Sequence, residues 1–353
     1  MLVVGKTGAG KSTLLRALLH REAVTGRAAA LIDPHGDLAD EVLADLPRFR
    51  RNDLVLLDPT ESTCRGLNPL RGLSAGARHL VVANVLAAIR KLFPDNAWGA
   101  RTEHLLRHAL LAAAEVRGGT IADAARMLYD DDHRAWILRQ VADPGVLGFW
   151  TREFAGYGKS FAAEAAAAPA NKLGALLSSP PVSSVLTKTR PRLDMAKALA
   201  RSAFVVARLS KGALGEEAAR FLGGLVLGMF QSAIFARAAT PPASRKRVTL
   251  VVDEATSLPE TILLELLAEG RKFGASIIVA TQGLAALPPD VRAGLLANAG
   301  AIVAFRVGGD DAEILNREFA GEFGPVTLTS LATGEMVVRV GASRACVTSF
   351  TAA

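Results

Sequence analysis

Residues Gly5-Lys6-Thr7-Gly8-Ala9-Gly10-Lys11-Ser12, followed by Thr13, fit the spacing G-x-x-x-x-G-K-[ST]. That spacing is suited to holding a polyphosphate. Its glycines let successive backbone N–H groups turn onto a β-phosphate at the start of a helix, where orphan donors and the helix dipole favour an anion. Lys11 can bridge the β- and γ-phosphates, and the Ser12 hydroxyl can ligate Mg²⁺. A second stretch, Val248-Thr249-Leu250-Val251-Val252-Asp253-Glu254, is an apolar run that delivers two carboxylates at its end. Asp253 can hold Mg²⁺ through a water, and Glu254 can polarise the attacking water. The Asp-Glu pair, with no Asn-Lys-x-Asp guanine reader in the chain, points to hydrolysis of ATP.

Other candidates carry two readings each. Gln282, after the apolar run Ser276-Ile277-Ile278-Val279-Ala280-Thr281, could contact the γ-phosphate or the lytic water as a sensor, or be a strand-end polar residue. Asp33, in Asp33-Pro34-His35-Gly36-Asp37, could face the nucleotide or form a turn. Asp130-Asp131-Asp132 invites a metal but stands where a helix needs its N-cap. His104 and His108 have the spacing of a zinc protease, yet Leu105 occupies the general-base position and no third ligand is evident, so zinc is not expected. The basic stretch Arg245-Lys246-Arg247 could touch nucleic acid or be a solvated loop.

These residues need a scaffold, and the hydrophobic pattern supplies one. Leu2-Val3-Val4 reads as a strand and Thr13 to Leu19 as a helix. Ala28-Ala29-Ala30-Leu31-Ile32 is a second strand, Leu38, Val42, Leu43 and Leu46 mark a helix, and Leu54-Val55-Leu56-Leu57 is a third strand. Strand–helix alternation makes this a parallel, doubly wound α/β sheet, whose carboxyl edge is where such sheets bind ligands. From Ser74 to Ala200 the pattern is helix after helix, with a capping box at Thr120 to Asp123. The sheet resumes with Ala203 to Leu209, Val248 to Val252, Ser276 to Ala280 and Ala301 to Phe305. Gly334 to Val340 and Ala345 to Phe350 read as a closing hairpin. The expected organisation is a nucleotide-binding motor domain in 1–73 and 201–353, interrupted by an all-α domain in 74–200.

Composition sets the outer limits. With 353 residues, half of them hydrophobic, the chain can bury a large core. A formal net charge of +7 favours a polyanionic partner. Two cysteines, Cys64 and Cys346, argue against a disulfide framework and suit a reducing cytoplasm. Phe221 to Ala236 is uncharged over 16 residues, but spans only about 24 Å against the ~30 Å of a bilayer core. It is expected to be a buried core helix, and no membrane span is expected. No signal peptide is seen, and a chain that opens on its phosphate-loop strand is expected to lack something that normally precedes it.

The motif series is similar to that of the HerA/FtsK superfamily. It comprises Gly5 to Thr13, Asp33 to Asp37, Trp98-Gly99-Ala100-Arg101, Leu209-Ser210-Lys211-Gly212, Val251 to Glu254, Glu269-Gly270-Arg271-Lys272, Ala280-Thr281-Gln282 and Phe305-Arg306-Val307-Gly308. Within that superfamily the chain most resembles conjugative coupling proteins of type IV secretion, which also carry an all-α insertion. The resemblance implies a RecA-like P-loop ATPase assembled as a ring, usually a homo-hexamer, that pumps DNA without sequence preference. It implies that Arg271 is supplied in trans to the neighbour's γ-phosphate and that Gln282 is the sensor. Arg306 becomes a second interface candidate, or a partner of Asp310 or Asp311, and Lys211 an accessory one. Relaxosome or secretion-channel proteins are the implied partners, met in the cytoplasm at the inner face of the membrane. The chain departs from the family in lacking the membrane helices of full coupling proteins and the N-terminal barrel of HerA-type pumps. Two rival readings are a secretion-assembly ATPase acting on protein and a nucleotide-switched binding module that moves nothing.

Overall fold

Most of the apolar runs become strands because they are continuous enough to be buried on both faces, as strands of parallel sheets are, whereas the last one is exposed along its length. In the computed structural model these are β1 (Leu2–Val4), β2 (Ala28–Asp33), β3 (Leu54–Leu57), β4 (Phe204–Arg208), β5 (Val248–Asp253), β6 (Ala275–Thr281), β7 (Ala301–Ala304), β8 (Glu335–Val340) and β9 (Cys346–Ser349). The structure describes residues 1–71, 74–187, 193–343 and 345–349, and of Asp95 the backbone only. Phe350, to which the sequence reading carried the last strand, lies outside them.

Hydrogen bonding orders the strands β3-β4-β2-β5-β6-β1-β7-β8-β9. All neighbours from β3 through β7 are parallel, and β8 and β9 close the edge as the expected antiparallel hairpin. The expected mostly parallel α/β sheet is therefore present. Alternate residues feed two apolar layers. Val3, Leu31, Phe204, Val251 and Phe305 pack with Leu15 and Leu19 of the helix Lys11–Val24. Leu2, Val4 and Ile302 pack with Leu295, Leu315 and Phe319 of helices on the other face.

The chain divides into two compact units: residues 1–57, 195–210 and 233–353, and residues 58–194 with 211–232. These limits differ from the sequence reading of 74–200. The helix Met195–Ala200 packs on β2 and β4 and so goes with the sheet. In the second unit the described residues form no β-strand. Its central helix, Ala100–Glu115, buries Leu105, Leu106, Ala109 and Leu110. The Thr120–Asp123 capping box forms as expected, and Asp130 caps its helix by accepting the His133 N–H at 2.9 Å. His108 stacks on Phe149, with centroids 4.0 Å apart. Among the described residues no group of three or more His, Cys, Asp and Glu side chains is placed to hold a metal ion. One helix, Glu216–Ala239, is long and apolar enough to cross a membrane, but 78% of its apolar window is buried.

A buried cation straps the amino-terminal ends of two central strands. Arg50, 3% exposed, donates from Nη2 to the carbonyls of Arg27 and Ser202, both at 2.9 Å, and from Nη1 to Asp53. Replacing Arg50 with Met leaves two carbonyls unpaired, so the folded state should lose about 2–3 kcal/mol. The shift of the urea unfolding midpoint at constant slope measures this loss.

Candidate functional site

The phosphate-loop motif leaves the sheet clamped between two neighbours. The Phe305 N–H donates to Val4 O at 2.8 Å, Gly5 N–H to Thr281 O at 3.3 Å, and Lys6 N–H to Arg306 O at 2.8 Å. Two of the glycines are needed for different reasons. A Cβ on Gly5 would lie 2.7 Å from the Cβ of the fully buried Phe305, whereas Gly10 sits at φ +116°, closed to most side chains. Gly10 caps the helix Lys11–Val24 without a side-chain acceptor, and no acid lies in the first turn. Its leading N–H groups are thus left for an anion.

Lys11, 8% exposed, folds back on this loop and donates to Gly5 O at 2.5 Å and Lys6 O at 3.1 Å. Burial lowers its pKa, and the negative charges of Asp253 and Glu254 oppose that shift. The loop and the acid pair therefore feel each other electrostatically. Strand register explains why: Val3 pairs with Ala280, and Ala280 pairs with Asp253. The two motifs end on one edge with a single strand between them, roughly 10 Å apart across the sheet.

The three acids here are supported differently. Asp33, fully buried at the end of β2, accepts from the amides of His35 and Ala39, both at 2.8 Å. Its side chain serves its own turn, and its charge acts on Asp253. Glu254 is held at Oε1 by the Thr256 hydroxyl (2.7 Å), the Thr256 N–H (3.4 Å) and the Thr281 hydroxyl (3.3 Å). Its backbone sits at φ +84°, a strained position of the kind that clusters at functional sites. Asp253 has no hydrogen-bond donor among the described residues, and its pKa rises to about 6, first through burial and next through the charge of Asp33. A carboxylate left without donors beside other acids fits a cation. With Ser12 exposed on the first turn opposite, the pair suits Mg²⁺, which keeps waters and phosphate oxygens and takes few protein ligands.

Gln282 is exposed, and its Oε1 accepts from the Thr7 hydroxyl at 3.1 Å, against the phosphate loop. Arg306 follows β7 beside Lys6 and pairs with neither Asp310 nor Asp311 among the described residues. The Asp311 carboxylate instead accepts from the Leu284 and Ala285 amides, at 2.9 and 2.7 Å. Arg271 is not brought to this site. It lies exposed in the turn Gly270–Phe273 before β6, at the opposite edge of the sheet. The length of β6, about 20 Å, separates it from its own phosphate loop. Lys211 opens the short helix Lys211–Leu214 and falls in the second unit. In the basic stretch, Arg245 is spent on the carbonyls of Thr240 and Lys272.

Thr281 and Phe305 stood in the motif series without a role of their own, and Thr256 was not singled out. A threonine three residues past a strand end, or an aromatic under a loop, has no local signature. Only the contact reveals the role.

A family model described as the type IV secretion-system coupling protein DNA-binding domain matches residues 1–142. The solved bacterial conjugative coupling protein TrwBdeltaN70 is similar in fold, with a TM-score of 0.75 at 18% identity, over 99% of this chain and 84% of its own. Plasmid coupling protein TrwB in complex with ADP and Mg²⁺ gives 0.74 at 18% identity over the same shares, 99% and 84%. VirB4 of Thermoanaerobacter pseudethanolicus gives 0.63 at 20% identity, over 100% of this chain and 89% of its own. No curated protein matches the chain in sequence. The expected likeness to coupling proteins and their RecA-like fold is thus borne out.

Because Asp253 titrates near 6 in the fold, against 3.8 for the free group, the folded chain holds that proton more tightly than the unfolded chain does. Without ligand, ionising Asp253 costs stability as pH rises through that window. With Mg²⁺-nucleotide the proton competes with the metal. Affinity measured by calorimetry should fall as pH drops below about 6, approaching tenfold per pH unit. Asp33→Asn should move the onset to lower pH.

Proposed function

We propose that this chain is an ATP-hydrolysing motor that translocates DNA, working as a ring of identical subunits with ATP and Mg²⁺ as its cofactors. The observation that supports this most is the register that sets the phosphate loop, Asp253, Glu254 and Gln282 on one sheet edge while leaving Arg271 on the other. A complete site then needs an arginine from a second copy. The match of residues 1–142 to a coupling-protein DNA-binding model, and the fold shared with TrwB, support DNA as the polymer moved.

In this reading the loop amides and Lys11 grip the β- and γ-phosphates, while Ser12 and Asp253 hold the metal, Asp253 through water. Mg²⁺, when bound, neutralises charge on the β- and γ-phosphate oxygens. Glu254 orients a water and takes its proton, and Gln282 senses the γ-phosphate. Arg271 of the neighbour neutralises charge on the transferring phosphoryl group. We assign the motor to residues 1–57, 195–210 and 233–353, and contact with DNA or a partner protein to the helices of 58–194 and 211–232. DNA would be held through its phosphates without sequence preference, so affinity should fall with salt. Partners of the relaxosome or secretion-channel kind, at the inner face of the membrane, fit this role. The second reading, carried over from the sequence, is a secretion-system ATPase that acts on protein.

ATP turnover, measured with and without DNA, separates these. A DNA motor should be stimulated several-fold, roughly 1 kcal/mol of barrier, whereas a protein-directed ATPase should be indifferent. Lys11→Ala should abolish turnover, and Glu254→Gln should bind ATP without hydrolysing it. Arg271→Ala should lose at least about a hundredfold while still binding nucleotide. Mixing Lys11→Ala with Arg271→Ala subunits should restore part of the activity, because each supplies what the other lacks. Normal turnover by Arg271→Ala would overturn the trans assignment.

A further inference from the structure

Glu254 is the one acid of the site whose placement is not secured by its own strand. At φ +84° and ψ +88° the backbone has left β5, so the direction of the side chain is set by what holds its carboxylate. All its hydrogen bonds fall on Oε1, from the Thr256 amide and hydroxyl and from the Thr281 hydroxyl, and Oε2 has no partner among the described residues. Thr256 belongs to the same turn and would move with Glu254. Thr281, 1% exposed, comes from the end of β6 and is the hold that originates outside that turn.

Thr281 is itself fixed. Its Oγ1 lies 3.0 Å from Gly283 O and 3.4 Å from Gly283 N, and the residues after Gly283 are pinned by the Asp311 carboxylate through the Leu284 and Ala285 amides. A hydroxyl has one proton, so Gly283 O at 3.0 Å and Glu254 Oε1 at 3.3 Å compete for it, the shorter contact against the acidic acceptor. The next residue, Gln282, touches Thr7 of the phosphate loop. One short segment thus contacts the water-activating acid with one side chain and the loop with the next.

Building on the hydrolysis reading, we propose that Thr281 is a positioning residue for Glu254. Its hydroxyl holds Oε1 so that Oε2 is offered to the lytic water, and it couples that placement to the contact of Gln282 with the phosphate loop.

The test is steady-state ATP turnover and fluorescent ATP-analogue binding for Thr281→Val, which keeps the volume and removes the hydroxyl, and for Thr281→Ser, which keeps the hydroxyl. Thr281→Val should lower kcat roughly tenfold, the loss expected of one hydrogen bond to a charged group. KM and analogue affinity should stay within about twofold, and Thr281→Ser should return kcat to within about twofold of wild type. If Val melts out, Thr281→Ala reads the same loss. A Val or Ala variant with wild-type kcat, or a Ser variant as slow as Val, would each overturn the assignment. Wild-type protein without turnover, or undiminished turnover in Glu254→Gln, would instead bring down the hydrolysis reading, and this assignment with it.

Discussion

Parallel strands all finish on one edge, and the chemistry of this chain depends on the register in which three of them do so. β6 lies between β1 and β5, so the phosphate loop and the acid pair face each other across one strand, and that strand delivers Thr281 and Gln282 into the gap. Packing locks this alignment. Val3 belongs to the layer with Leu15 and Phe305, and Leu2 and Val4 to the opposite layer with Leu315. A slip of one residue would put every one of these side chains in the wrong layer. The register that the reaction needs is the register that the core enforces.

The same edge gathers more negative charge than a protein interior tolerates without compensation. The compensation is uneven. Asp33 has two amides and Glu254 three donor contacts, while Asp253 has none among the described residues, and its pKa rises first through burial and next through the charge of Asp33. Lys11 offsets part of the charge but is turned toward the loop carbonyls. Unequal support separates the roles of chemically similar side chains: the carboxylate without donors is suited to a cation, and the one held through a single oxygen is suited to orienting a water.

Much of this was legible in the chain. The phosphate loop could be read because its glycines answer to backbone geometry, a local constraint: Gly10 lies in the left-handed region as the motif requires. The strands could be read because burial on both faces leaves uninterrupted apolar runs. Asp33 illustrates the limit. Its sequence allowed a nucleotide contact or a turn, and the structure uses the carboxylate for the turn while its charge still acts on Asp253. Arg306 had an ion pair as one reading, but Asp311 is taken by two amides of a distant segment, which no spacing rule reports. Phe305 packs against Gly5 some 300 positions away in the chain. Long-range contacts of this sort decide the details and leave little trace in local pattern.

The two ends of β6 give this strand a place in the proposed ring that no other strand has. At its carboxyl end Thr281 contacts Glu254 and Gln282 contacts the phosphate loop; just before its amino end stands Arg271, exposed and without a side-chain partner among the described residues. Between them Ile277 to Ala280 are buried in the middle of the sheet, paired with β5 throughout and, from Val279 on, with β1 as well. A rigid strand with a sensor at one end and a donor to the next subunit at the other transmits displacement rather than absorbing it, since packed interiors shift as units. In the ring proposed above, this strand would join one subunit's phosphate loop to its neighbour's, a route by which a change at one could reach the other.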